Sequence, residues 1–235
     1  MLAARSLVFI TSFYIWSVLV AVGCWPLLFG PVRWTHRMFC IWAQGISLLL
    51  RVCCNIRVEV RGREHIPQGP ALVASKHQCM FDVFAQFIWL PSSAFVAKKE
   101  LMWIPFFGWY AKKAGAITVD REGHANALRK MVREARERFA LGRQLVIFPE
   151  GTRSAPGAPP DYKPGIAALY RELDVPVHPV ATNSGVHWPA HGFLRHPGTI
   201  VFEYLPLIPP GLKRGEFMRV LEARIETATD ALLEG

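Results

Sequence analysis

The stretch Ala71-Leu-Val-Ala-Ser-Lys-His-Gln-Cys-Met-Phe-Asp82 places a short apolar strand pattern directly before a helical one. Residues 71–74 are apolar and follow the turn Pro67-Gln-Gly-Pro70, as expected for a buried strand. The helical pattern covers residues 81–90 and stops at Pro91, because proline does not continue a helix. The sequence therefore predicts a strand, a polar turn and a helix in direct succession.

The same alternation extends to the carboxyl terminus. Further strand patterns lie at residues 56–60, 94–97, 116–119, 145–148, 175–180 and 199–204, and helical patterns lie at 122–141, 166–173 and 217–228. Strands that alternate with helices are typical of layered α/β domains. We therefore predict an α/β domain over residues 56–235, with a mixed, largely parallel central sheet flanked by helices.

Residues 1–55 have a different character and predict a hydrophobic, membrane-embedded helical arm. No residue from Ser6 to Val32 is charged, and the apolar run 7–30 would span about 36 Å as a helix, enough to cross the hydrocarbon layer. A second uncharged run, 38–50, would reach only about 20 Å and is too short to cross alone. The basic and aromatic connector at 31–37 suits the headgroup layer.

The topology of this arm stays open between a single span and a bent pair of helices that enters and leaves by the same leaflet. Arginines flank both apolar runs on both sides, so the distribution of positive charge does not separate the two arrangements. A cleaved signal peptide is disfavoured, because it would need a shorter apolar region and a small-residue cleavage site.

The charge of the chain points to a membrane partner rather than a nucleic acid. The 235 residues include 27 lysines and arginines against 18 acidic residues, a formal net charge of +9. The basic excess is densest in the most apolar part of the chain, since the first acidic residue is Glu59. The five cysteines are odd in number and lack metal-ligand spacing, which indicates a reducing compartment and no metal site.

His77 and Asp82 are candidate catalytic residues, because they follow the strand pattern at 71–74 directly. On one regular helix their side chains would point about 140° apart. They can meet if His77 lies in the turn and Asp82 lies in the first turn of the helix, where a carboxylate also suits the helix dipole. A carboxylate on one ring nitrogen fixes the tautomer and leaves the other nitrogen free as a base.

A second cluster, Phe148-Pro-Glu-Gly-Thr-Arg-Ser154, follows another strand pattern. Gly151 permits close approach of the backbone to a ligand, Thr152 offers a hydroxyl group, and Arg153 offers a planar fork for phosphate. Glu150 is a candidate either to hold Arg153 in place or to bind a substrate hydroxyl.

Two further segments end or form strand patterns. The segment Ala114-Gly-Ala-Ile-Thr-Val-Asp-Arg121 ends with Arg121, a further candidate phosphate ligand. The segment Val175-Pro-Val-His-Pro-Val180 carries no obvious catalytic group, and His178 between apolar strand residues is predicted to be structural. No glycine-rich nucleotide motif and no GxSxG nucleophile elbow is present in the sequence.

Together these segments resemble the 1-acyl-glycerol-3-phosphate acyltransferases, the lysophosphatidic acid acyltransferases of the glycerolipid pathway. The four blocks of that family occur in order at 77–82, 115–121, 148–154 and 175–180. Residues 98–109 are also similar to the family, and the resemblance covers roughly residues 56–182. One departure is His178, where the family usually has an aliphatic residue.

The resemblance implies acyl transfer from a thioester to the sn-2 hydroxyl of 1-acyl-sn-glycerol 3-phosphate, which makes phosphatidic acid. It implies that His77 removes the hydroxyl proton and that Asp82 orients His77. The substrate-binding residues implied for the acceptor and its phosphate are Lys98, Arg121, Glu150, Gly151, Thr152 and Arg153. The implied partners are a lysophospholipid, acyl-CoA or acyl carrier protein as co-substrate, and the bilayer, without a cofactor, metal or nucleic acid.

Two other functions stay open at this point. An acyltransferase of the same mechanism would use another acceptor, such as glycerol 3-phosphate or a lyso-aminolipid. A catalytically inactive, lipid-binding membrane protein is disfavoured, because both His77 and Asp82 are present. The predicted location is the inner membrane, with the active site facing the cytoplasm.

Overall fold

The computed structural model describes residues 1–119 and 124–234. The helices are α1 Leu2–Gly23, α2 Val32–Cys54, α3 Phe81–Trp89, α4 Phe107–Ala114, α5 His124–Ala140, α6 Gly165–Leu173, α7 Ser184–His187 and α8 Arg214–Glu234. The strands are β1 Ile56–Arg61, β2 Ala71–Ser75, β3 Ser93–Lys98, β4 Ile117–Val119, β5 Gln144–Ile147, β6 Val177–Thr182 and β7 Gly198–Tyr204. The predicted alternation of strands and helices is confirmed.

Within the described residues, seven strands form one sheet in the order β1-β7-β6-β2-β5-β3-β4. The strands β6, β2, β5, β3 and β4 run parallel to one another. β7 is antiparallel to β6, and β1 is parallel to β7. The predicted mixed, largely parallel sheet is confirmed, and the carboxyl ends of its parallel strands lie at one edge.

Helices cover both faces of the sheet, so that alternate residues of β2 enter different cores. Ala71 and Val73 belong to a core shared with α1, α2, α3 and α4. Leu72 and Ala74 belong to a second core shared with α5, α6 and α8. Parallel strands that are buried on both faces read as continuous apolar runs, which explains the pattern of residues 71–74.

The second arm helix is longer than the sequence pattern indicates. α2 contains 23 residues, whereas the uncharged run 38–50 predicts a helix too short to cross a bilayer. Arg33, Arg37 and Arg51 lie inside α2 instead of flanking it. Long arginine stems can follow an apolar helix surface while their charged ends reach polar surroundings, so these charges do not end the helix. By length and composition, both α1 and α2 are apolar enough to cross a membrane.

The turn between the two arm helices also differs from the prediction. α2 begins at Val32, so most of the connector expected at 31–37 is helical. The turn itself is the short 3-10 helix Trp25–Phe29. Lys113 of α4 donates hydrogen bonds to three backbone carbonyls of this turn, which fastens the tip of the arm to the α/β domain.

The arm packs along the side of the α/β domain. The buried residues of α2 extend from Thr35 to Cys54, almost the whole helix. Phe39 stacks on Phe87 of α3 with ring centroids 4.5 Å apart. Asn55, in a left-handed conformation, ends α2 directly before β1. The division of the chain at residue 55 stays a prediction, since the arm shares a hydrophobic core with the sheet.

Candidate active site

The predicted site residues follow neighbouring strands of the parallel part of the sheet. His77 follows β2, and the loop of Glu150 follows β5, which pairs with β2. Lys98 is the last residue of β3, which pairs with the other side of β5. Arg121 lies two positions beyond β4 and outside the described residues. Because parallel strands end at the same edge of a sheet, this arrangement gathers the sequence blocks at one edge.

The turn between β2 and α3 brings His77 and Asp82 together. His77 Nδ1 lies 3.1 Å from Asp82 Oδ2, and the side chain of His77 keeps 14% exposure while that of Asp82 is fully buried. The imidazole ring stacks on Phe148 with centroids 4.2 Å apart. A carboxylate at Nδ1 holds the proton on that nitrogen. Nε2, which has no partner among the described residues, is then able to accept a proton.

Asp82 also folds the turn that carries His77. Its Oδ2 accepts the backbone N–H groups of Gln78 at 2.6 Å and of Cys79 at 2.8 Å. The thiol of Cys79 donates to Oδ1 at 3.4 Å. Backbone donors near a helix start lack partners within the helix, and a side-chain carboxylate in the first turn satisfies them. One carboxylate therefore sets both the shape of the turn and the orientation of the imidazole.

Glu150 lies in a different place from the one predicted for it. Its Oε2 accepts the backbone N–H of His77 at 2.9 Å, and its Oε1 lies 2.8 Å from Lys76 Nζ. Only 2% of Glu150 is exposed, so its carboxylate is surrounded by protein groups. Arg153, its predicted partner, donates instead to the backbone carbonyl of Ala190 at 3.0 Å. The predicted contact between Glu150 and Arg153 is therefore corrected, because the carboxylate holds the main chain of His77 instead, whereas binding of a substrate hydroxyl by Glu150 stays a prediction.

The loop after β5 exposes the other predicted ligands. Gly151 has a φ of 65°, a left-handed conformation that residues with a side chain rarely adopt. Thr152 and Arg153 follow it and are exposed. The backbone N–H of Ser154 donates to the carbonyl of His77 at 2.8 Å. This hydrogen bond ties the loop to the turn of His77, so the candidate base and the candidate phosphate ligand lie on joined segments.

These segments match a known protein family. A family model described as Acyltransferase matches residues 57–183, which is more than half of the chain. The chain belongs to the acyltransferase family. The matched region contains His77, Asp82 and Arg153 together with the strands that carry them.

Named relatives of this acyltransferase include several 1-acyl-sn-glycerol-3-phosphate acyltransferases. The protein of Pseudomonas aeruginosa is 35% identical over 190 residues, which cover 80% of this chain and 73% of the relative. The protein of Limnanthes alba is 30% identical over 198 residues, with 81% and 70% covered. The alpha form of Homo sapiens is 33% identical over 171 residues, with 72% and 60% covered. The resemblance drawn from the four sequence blocks is confirmed.

A solved structure is similar over nearly the whole chain. The crystal structure of the 1-acyl-sn-glycerophosphate (LPA) acyltransferase, PlsC, from Thermotoga maritima matches with a TM-score of 0.83 and 24% identity, and the match covers 99% of this chain and 98% of that one. The arm helices are therefore part of the shared fold together with the α/β domain.

The structure adds two side chains to the acyltransferase site that the sequence pattern does not predict. Lys76, directly before His77, is 2% exposed and joins Glu150 to Glu226 of α8. A lysine in a polar turn is normally solvated, so the only feature of the sequence that points to a role for Lys76 is its position beside His77. Glu226 is 150 residues away from Lys76 in the chain, so no local pattern connects the two.

His178 of the acyltransferase lies in β6, where its Nδ1 is 3.0 Å from the backbone carbonyl oxygen of His65. Burial is the main cause that lowers the pKa of His178, so this residue is neutral and held by the backbone. The sequence predicts a structural role for His178, and its burial and its contact with the backbone of His65 agree with that role.

We expect Asp82→Asn to lower the kcat of the acyltransferase by about 10²–10⁴, because an amide donor at Nδ1 favours the wrong imidazole tautomer. Initial rates with saturating substrates measure this loss, and circular dichroism checks the fold. Asp174→Asn is the matched control, because Asp174 ends α6 in a left-handed conformation that asparagine also adopts. An Asp82→Asn enzyme with the kcat of the parent would contradict the role of this carboxylate.

Proposed function

We propose that this acyltransferase moves a fatty acyl group from an acyl thioester to the sn-2 hydroxyl of 1-acyl-sn-glycerol 3-phosphate, lysophosphatidic acid, to make phosphatidic acid in phospholipid biosynthesis. The observation that carries the proposal is the pairing of His77 with the buried Asp82 at the sheet edge, on a turn hydrogen-bonded to the loop of Arg153. The relatives from Pseudomonas aeruginosa, Limnanthes alba and Homo sapiens are named for the same acceptor, which supports this choice.

The proposed reaction needs one base and no covalent intermediate on the enzyme. Nε2 of His77 takes the hydroxyl proton while the sn-2 oxygen forms a bond to the thioester carbonyl carbon. The carbon–sulfur bond then breaks, and the leaving thiolate receives the proton back from the imidazolium. Asp82 stabilises the imidazolium, since its buried carboxylate lies 3.1 Å from Nδ1.

The neighbouring thiol of Cys79 is a poor candidate for an acyl-enzyme. Cys79 is fully buried, and this burial raises the pKa of its thiol well above the usual value. The thiolate is the reactive form of cysteine, so such a group is a weak nucleophile. Its contact with Asp82 also uses the thiol as a hydrogen-bond donor. Direct transfer from donor to acceptor is therefore the simpler route.

We assign the acceptor phosphate to Arg153, with Lys98 and Arg121 as further ligands. A guanidinium can hold two phosphate oxygens at once, and both Arg153 and Lys98 are exposed at the edge where His77 lies. An acceptor without phosphate would leave these cations without an anion, which disfavours a neutral or lyso-aminolipid acceptor. Glycerol 3-phosphate has the phosphate but no acyl chain that would require an apolar, membrane-facing arm. The proposed donor is acyl-CoA or acyl carrier protein, both of which supply a thioester, and no further cofactor is proposed.

The deciding experiment assays the purified full-length enzyme in detergent with lysophosphatidic acid, monoacylglycerol, glycerol 3-phosphate and a lyso-aminolipid as acceptors, using each of the two donors. We expect lysophosphatidic acid to be the better acceptor, and Arg153→Lys to raise its KM by about tenfold, the worth of one charge-assisted hydrogen bond. The KM of the donor and the slow rate with monoacylglycerol should hardly change. His77→Ala should lower kcat by about 10²–10⁴.

Each other outcome of this assay points to a different function. Equal loss on both acceptors would make Arg153 a structural residue and leave Lys98 and Arg121 as the phosphate ligands. If the parent enzyme prefers glycerol 3-phosphate or a lyso-aminolipid, that compound is the acceptor instead of lysophosphatidic acid. A folded parent protein without transfer to any acceptor would indicate a lipid-binding protein instead.

We further propose that the enzyme lies on one leaflet of the membrane rather than spanning it. The buried face of α2 extends from Thr35 to Cys54 and packs against α1 and the α/β domain, so an α2 that crossed the hydrocarbon layer would draw part of that domain into it. This favours the helix pair that enters and leaves by the same leaflet. The outer face of α1 supplies the apolar contact through Leu7, Val8, Tyr14, Ile15, Val18, Leu19 and Val22, all exposed.

Exposed aromatic residues near the tip of the arm support the same placement. Phe29 and Trp103 are 81% and 84% exposed, and Trp25, Trp34 and Trp109 are exposed as well. Tryptophan is enriched at the boundary between lipid and water, where its ring contacts both. We propose that this boundary is at the cytoplasmic face of the inner membrane, which fits the reducing compartment indicated by the cysteines.

Sealed membrane vesicles test this placement. We expect protease added on one side to remove tags from both the amino and the carboxyl terminus, because neither helix crosses the bilayer. Detergent should release the protein, whereas high salt should not, since the contact is mainly apolar. Protection of the amino-terminal tag alone would show a single span, and release by salt would exclude an apolar anchor.

A further inference from the structure

A buried chain of charged side chains connects α8 to the backbone of His77. Lys76 Nζ lies 2.8 Å from Glu150 Oε1 and 2.7 Å from Glu226 Oε2. Glu150 accepts the backbone N–H of His77 at 2.9 Å with its other oxygen. At the far end, Tyr162 donates its hydroxyl group to Glu226 at 2.8 Å. The chain thus runs from the carboxyl-terminal helix to the candidate base.

The burial of this network makes it costly to assemble. The side chains of Lys76 and Glu150 are only 2% and 1% exposed, and that of Glu226 is 18% exposed. Transfer of each charged group out of water is unfavourable, and a buried ion pair is often no more stabilising than an apolar replacement. Stability alone therefore does not account for this set of charges.

Lys76 stays charged in these surroundings. Burial alone would lower the pKa of Lys76, but the hydrogen bonds and charges of Glu150 and Glu226 outweigh that effect, so its pKa is raised above the usual value. A cavity of about 190 Å³ borders Lys76, Glu226 and the loop 157–160. Solvent thus reaches the network on the side of α8, where the side chain of Glu226 is 18% exposed.

The main chain around His77 is held from several sides. Its carbonyl accepts the N–H of Ser154, and the N–H of Lys76 donates to the carbonyl of Val180 at 2.9 Å. Those contacts join backbone to backbone and do not depend on a charge. The N–H of His77 itself depends on Glu150, whose carboxylate is free to move away when the nearby cation of Lys76 is removed. A displacement of about 1 Å at a reacting group can lower a rate about 10²-fold.

We propose that Lys76 and Glu226 are positioning residues for the acyl transfer. Lys76 holds the carboxylate of Glu150, Glu226 holds Lys76, and Glu150 fixes the backbone from which His77 extends. The inference rests on the proposed function, because it assumes that His77 is the base. It makes α8 a supporting element of the site, although no residue of α8 contacts the imidazole directly among the interactions of the described chain.

Substitutions of Lys76 and Glu226 test the inference in the full-length enzyme with lysophosphatidic acid as acceptor. Lys76→Met removes the cation and keeps most of the apolar stem, so kcat should fall about 10–100-fold. The KM of the acceptor should stay within about twofold, because the phosphate ligands are unchanged. Lys76→Arg keeps the cation and should return kcat to within about fivefold of the parent, and Glu226→Gln should lower kcat by about 3–10-fold.

Lys163→Met is the matched control. Lys163 also pairs with a carboxylate, that of Asp161, but at the surface of the loop that follows β5. Its removal should leave kcat within about twofold of the parent, because exposed ion pairs contribute little. Thermal unfolding of all variants separates loss of fold from loss of rate, and if Lys76→Met does not fold, Glu226→Gln decides.

Two results would overturn the inference. One is a folded Lys76→Met, or in its absence Glu226→Gln, with the kcat of the parent. The other is an equal loss in Lys76→Met and Lys76→Arg, which would mean that the shape of the side chain matters and its charge does not. A parent enzyme that is inactive toward lysophosphatidic acid would contradict the proposed function instead, so the two failures are distinguishable.

Discussion

The buried carboxylate of Asp82 is the constraint on which the rest of the site depends. A carboxylate out of water is tolerated only where hydrogen-bond donors surround it, and Oδ2 meets His77 together with the N–H groups of Gln78 and Cys79. The turn cannot open without leaving that charge unsatisfied. The same contacts start α3 and set the tautomer of the imidazole, so local folding and chemistry here have one physical cause.

The parallel sheet brings the loop after β5 next to the turn of His77. β5 lies next to β2, and the loop after β5 brings Glu150 under the backbone of His77 and exposes Arg153 beside it. β3 follows β5 in the sheet and ends at Lys98, another proposed phosphate ligand. The arm packs against α3, which begins at Phe81 and carries Asp82 in its first turn, so the helix that holds this carboxylate also forms part of the contact with the apolar arm.

The sequence predicts those features that depend on neighbouring residues. Buried parallel strands appear as apolar runs, and the step from strand to helix marks His77 and Asp82. The partner of Glu150 could not be predicted, because Lys76 and Glu226 meet only once α8 has packed against the sheet. The uncharged run 38–50 predicts too short a helix because it stops at Arg37 and Arg51, whereas an arginine stem can lie along an apolar helix.

The position of the proton on the His77 ring shows most directly whether Asp82 sets the tautomer of the imidazole. Nitrogen NMR of the enzyme labelled with ¹⁵N-histidine, with the His77 signals assigned by their loss in His77→Gln, reports which ring nitrogen carries the proton. In the neutral ring we expect the proton on Nδ1 and a bare Nε2, because the Asp82 carboxylate accepts from Nδ1. A neutral ring with its proton on Nε2 would contradict the assignment of His77 as the base.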